Sequence, residues 1–133
     1  MKPYLAAAVI ALMLAAPAVH AQTTPDPASL DTKALIDDMV AHSDAAKASS
    51  TKAADDFNTK NDKVAGCADL DATKTEMDLA FADMDEYDNR LETDTTLSAA
   101  DRADMQKDAA TTRDQMQDMY DTLMDKTVEQ CPE

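Results

Sequence analysis

The residues of this sequence with chemistry to offer are two cysteines, a set of methionines, one histidine in the body of the chain and rows of aspartates. Cys67 and Cys131 are the only thiols. They lack both the Cys-x-x-Cys spacing and the adjacent histidine that a redox-active or nucleophilic thiol needs, so one structural disulfide between them is expected. Met116 and Met119 make a Met-x-x-Met pair, with Met105 and Met124 nearby, and thioethers are soft donors able to hold Cu(I). His42 follows Met39 and Asp38 by about one helical turn, which offers a mixed site. Methionine is also a common filler of irregular helical cores. Packing is therefore the expected role of Met116, Met119 and His42, and no resident metal or cofactor is expected.

The carboxylates are patterned. Asp114, Asp118, Asp121 and Asp125 recur at helical steps, and Asp71, Asp78, Asp85 and Glu92 recur at steps of seven, with Asp83, Glu86 and Asp88 beside them. Such rows attract cations or a basic partner. They contain no Asp-x-Asp-x-Asp-Gly loop to wrap calcium, so a solvated face is the plainer expectation. No spacing pairs a serine or cysteine with His42, one glycine cannot build a phosphate loop, and Cys-x-x-Cys-His for covalent haem is missing. Catalysis is not expected.

The elements that must position these residues read as helices. Glycine occurs once, tryptophan not at all, and aromatic residues make up 4% of the chain, which disfavours a fold of strands and tight turns. From Leu30 to Ala65, the residues Leu35, Met39, His42, Ala46, Ser49, Ala53, Phe57, Lys60 and Val64 follow steps of three and four, the face of one helix. Ser29 or Asp31 can cap its start, and Gly66 is placed to end it in a left-handed conformation. A second helix is expected over about 69–93, with Leu70, Met77, Met84 and Leu91 at steps of seven, the spacing of coiled-coil packing. After a polar turn, Ser98 and Asp101 resemble a capping box. They open a third helix whose stripe is Met105, Ala109, Thr112, Met116, Met119, Leu123, Thr127 and Val128, closing near Gln130. Leu79 falls on the far side of the second helix from Leu70. With Ile36 and Val40 it is a candidate contact for a partner or for self-association.

The expected fold is an all-α antiparallel three-helix bundle with one disulfide. In an up-down-up arrangement the two cysteines share one pole. The alternative is four shorter helices, broken where Ala45–Thr51 offers small residues in place of leucine.

The start of the chain carries an address. Lys2, the apolar run Leu5–Ala16, Pro17 and the small-residue site Val19-His20-Ala21 match a secretory signal cleaved after Ala21. The domains are then signal 1–21, flexible leader 22–29 and helical domain 30–133. The compartment is periplasmic or extracellular, which suits the disulfide, and no membrane span is expected after cleavage. A formal charge of −15 repels a phosphate backbone, so no nucleic acid is expected.

The stretch Leu97-Ser98-Ala99-Ala100-Asp101-Arg102 resembles the Leu-Thr-x-x-Gln signature of small periplasmic helical stress chaperones, with Ser98 and Asp101 in place of Thr and Gln. The resemblance implies a chaperone that holds unfolded clients on a helical surface. Helix capping alone also accounts for these six residues. The leading expectation is a non-enzymatic exported binding protein acting through contacts with another protein or envelope component, which the charge suits to be basic. The possible partner surface comprises Leu79, Asp114, Asp118, Asp121 and Asp125. A metal-buffering protein using Met116, Met119 and His42 or the acidic rows, and a small stress chaperone, are the alternatives.

Overall fold

The computed structural model describes residues 24–131; the expected signal segment 1–21 lies outside the described residues. Helix α1 runs Thr32–Asp55 and widens into a single π turn, Asp56–Lys60; α2 runs Lys63–Thr93 and α3 Ala99–Gln130. Each α-helix starts on a side-chain cap that satisfies a backbone N–H the helix itself leaves open. Asp31 accepts from Ala34 N at 2.8 Å and Asp62 from Ala65 N at 3.0 Å. Ser98 accepts from Asp101 N at 3.1 Å and donates to the Asp101 carboxylate at 2.6 Å, so the six-residue stretch around it does act as a cap.

α1 is continuous through Ala45–Thr51; Ala46 within that stretch and Ala53 just beyond it are buried, and small side chains let the helix lie close to α2. Its end is not where the glycine suggested. The residue in the left-handed region is Asn61, with φ 53°, a role asparagine tolerates because its short polar side chain lowers the cost. Asp62 N then returns to Asp56 O at 2.8 Å. Gly66 lies inside α2, buried, and its use is steric. A methyl group there would stand 2.7–2.9 Å from the edge of the Phe57 ring, which folds over from the π turn. Gly66→Ala normally gains about 1 kcal/mol in a helix. Here overpacking, which costs about 1–3 kcal/mol, is expected to cancel or reverse that gain, as urea unfolding will read; Gly66→Ala combined with Phe57→Leu should recover part of it.

The seven-residue repeat of α2 is its buried seam: Leu70, Met77, Met84 and Leu91 are all in the core. α3 answers with its own repeat of seven, Ala109, Met116 and Leu123, and α1 with Leu35, Ala46 and Ala53. α2 is the central element. α1 and α3 each pack along it and make little contact with one another. A helix with one neighbour buries one narrow stripe rather than a broad face. The wider stripe expected for α3 is corrected accordingly: Thr112 is exposed, as are Met119 (58%) and Val128 (73%). Lys60 and Val64 (83%), expected on the face of the first helix, are exposed for another reason: the π turn and Asn61 end that helix and redirect the chain before Val64, which lies in the first turn of α2.

The two poles are tied differently. Cys67, in the first turns of α2, and Cys131, at the end of α3, form the disulfide, with Cα atoms 5.8 Å apart. At the other pole Arg90 donates to Pro27 O at 3.1 Å and Leu30 O at 2.7 Å, and pairs with Glu86 at 2.7 Å. It thereby holds the 3₁₀ turn Pro27–Ser29, part of the expected leader, against the end of α2. Arg113 of α3 bridges to Asp85 and Asp88 of α2 at 2.8 and 2.6 Å. In the π turn Lys60 pairs with Asp56 at 2.7 Å and Asp55 at 2.8 Å; its ammonium holds both carboxyls below the ordinary range and is itself held above its ordinary value. No described helix is long and apolar enough to cross a membrane.

Candidate functional site

Two features stand out between the helices. The first is polar and centres on His42. Asp38 and His42 are one turn apart on α1 and share a face; Glu76 and Asp83 are two turns apart on α2 and face them. His42 Nδ1 donates to Glu76 Oε2 at 2.7 Å. That bond fixes the ring and directs Nε2 the other way, toward Asp38 Oδ2 at 3.7 Å. Single donor atoms of Asp38, His42 and Asp83 all lie within 4.8 Å of one another. Asp83 is 2% exposed. Its Oδ2, with Asp38 Oδ2 and His42 Nε2, is buried without a hydrogen-bond partner among the described residues. Burial pushes the Asp83 carboxyl above its ordinary range and the Asp38 charge adds to this, while His42 opposes it.

Asp83 was expected on a solvated flank, and the structure corrects that. The signal was present in the sequence. Asp38, Glu76 and Asp83 immediately precede Met39, Met77 and Met84, so each sits at the margin of the apolar seam, where packed helices converge on the same narrow space.

The second feature is apolar. Because α1 and α3 both lean on α2, the seam between them opens into a groove of about 750 Å³. Leu70, Met77 and Ala80 of α2 form its floor, Ala46 part of one wall, and Met116 and Leu123 the other, with Met119 at its rim. Asp44 and Lys47 of α1 and Asp118 and Lys126 of α3 stand at its edge. No protein-family model, curated protein or solved structure matches the chain. The geometry of these two features therefore carries the functional reading by itself.

The other sequence candidates fall around this frame. Met116 is buried and Met119 exposed, so the Met-x-x-Met pair divides between groove wall and rim, whereas His42 is surrounded by carboxylates. Asp114, Asp118, Asp121 and Asp125 are all exposed along α3, and of the four only Asp118 reaches the groove. Leu79 is half-buried rather than projecting freely away from the bundle, while Ile36 and Val40 are exposed.

Proposed function

We propose that the chain is an exported binding protein, acting by recognition rather than catalysis, whose α1–α3 groove receives one amphipathic helix of a basic partner. The observation that carries this is the groove itself: an apolar trough between two helices, floored by a third, into which a fourth helix fits with the packing of a four-helix bundle. Met77, Met116 and Met119 suit such a role because thioether side chains repack around different apolar partners. The rim is balanced in charge, with Asp44 and Asp118 against Lys47 and Lys126. The preference for a cationic partner comes from the net charge of −15 and the exposed aspartates of α3, which favour encounter with positive charge. Export is supported by the signal pattern of residues 1–21 and by a disulfide, which persists in oxidising compartments.

The test is titration with a model peptide carrying leucine at i, i+3, i+4 and i+7 and lysine on its other face, beside a scrambled peptide of the same composition. Saturable binding of the patterned peptide alone is expected, weakening with salt. Met119→Glu, at an exposed rim position, should reduce the affinity about tenfold or more, equivalent to about 1.4 kcal/mol, with the melting temperature unchanged. Equal binding of both peptides, or indifference to Met119→Glu, would overturn the reading.

A further inference from the structure

We propose that Asp38, His42 and Asp83 form a site for one divalent first-row transition-metal ion, separate from the groove. Three carboxylates and a single imidazole share a largely desolvated space, and buried charges are ordinarily paired or bound to metal. Glu76 is engaged by His42. The remaining donors, one oxygen each from Asp38 and Asp83 and the His42 Nε2, are three of the five buried side-chain atoms without a hydrogen-bond partner among the described residues, the other two being Asp69 Oδ2 and Arg102 Nε. These three donors belong to one constellation no wider than 4.8 Å. Ligands held at about 2.0–2.2 Å from a metal stand about 3–3.6 Å from one another. The Asp38–His42 separation of 3.7 Å is already close to that, and a modest side-chain rotation of Asp83 completes the set.

The surroundings have the form of a metal site's supporting shell. A metal-binding histidine typically donates its second ring N–H to a carboxylate, which fixes the tautomer and strengthens the donor nitrogen; the Glu76–Nδ1 bond does this. Asp38 and His42 are spaced by one helical turn, so a single helix presents both on one side, and Asp83 arrives from the neighbouring helix to close the chelate. Asp38 and Glu76 retain part of their surface in solvent, which gives an ion a way in.

Donor chemistry selects the ion. One imidazole and two carboxylates suit Zn²⁺ and its first-row neighbours, with an exchangeable fourth position. Calcium takes six to eight oxygens and Cu(I) takes soft sulfur, neither of which this set supplies. The donors are thus neither the methionine pair nor the surface rows but residues that the fold brings together.

The experiment titrates metal-free, disulfide-intact protein with Zn²⁺ and, in parallel, Ca²⁺ by calorimetry. It follows the His42 ring by NMR, since His42 is the only histidine within residues 24–131. One Zn²⁺ per chain, a shift of the His42 signals saturating at that same ratio and a rise in melting temperature with added Zn²⁺ are expected, with no matching site for Ca²⁺. Asp83→Asn and His42→Gln should lose the saturable site. Glu76→Gln should keep the stoichiometry and weaken binding about 10- to 100-fold. A variant with Asp114, Asp118, Asp121 and Asp125 all changed to Asn should bind as the parent does. The proposal is overturned by absence of stoichiometric binding, by binding that leaves the His42 signals unmoved, or by loss of binding in the α3 surface variant. The NMR reading on the unaltered chain decides even where a substitution disturbs folding.

Discussion

Replacing both Cys67 and Cys131 by serine is expected to lower the stability of the folded chain by about 4 kcal/mol. The bond joins residues 64 apart, and a crosslink of that span removes loop-closure entropy of about this size from the unfolded ensemble. Few other features of the chain compensate for its loss. α3 is held along one narrow seam, supplemented by the Arg113 bridge to Asp85 and Asp88. Arg113 is partly exposed, and such pairs contribute little net stability. A fall of about 4 kcal/mol lowers the melting temperature by about 15–20 °C for a domain of this length. Urea unfolding of the double variant, compared with the oxidised parent, checks the figure. Dithiothreitol should reproduce the variant's behaviour in the parent and leave the variant itself unchanged. A difference below about 1 kcal/mol would show that the bond is not what holds α3.

The second large effect separates two methionines that look alike in the sequence. Met84 is 1% exposed, among Ala80, Leu91, Ala109 and Met116. Met84→Ala removes a fully buried side chain between helices whose backbones are held by their own hydrogen bonds, so the site cannot collapse freely. The expected cost is about 3 kcal/mol, within the range of about 2–5 for such truncations. Met119→Ala, at the groove rim, should change stability by less than about 0.5 kcal/mol. Equilibrium urea curves give both numbers. Equal costs would mean that the groove closes in solution and that Met119 is part of the core.

This contrast also marks how far the sequence could be read. The repeat Leu70, Met77, Met84, Leu91 located the α2 seam, and the cysteines agreed with the up-down-up topology, because both signals depend on local periodicity and chain direction. Gly66 misled because a lone glycine near a helix junction has two uses, a left-handed turn and a close approach. Here Asn61 makes the turn and Phe57 takes the space. Periodicity overstates the stripe of α3 because it shows which residues share a face without showing how many neighbours that face has; Met119 and Val128 are exposed, beyond the reach of α2. Of the polar site, His42 and its Asp38 neighbour were visible at one-turn spacing. Glu76 and Asp83 come from another helix, and only the relative register of α1 and α2 makes them converge.

The central position of α2 also bears on how the molecule comes apart. α1 and α2 are consecutive and share the more extensive contact, so they form a hairpin built on short-range interactions, the kind that assembles early and opens late. α3 is then the detachable stave. Amide exchange should find its protons the first of the three helices to be released, while Cys131 at one end and the short turn Asp94–Ser98 at the other keep the helix moored to α2. An incoming rod would therefore meet a wall berthed at both ends, able to ease outward only along its middle.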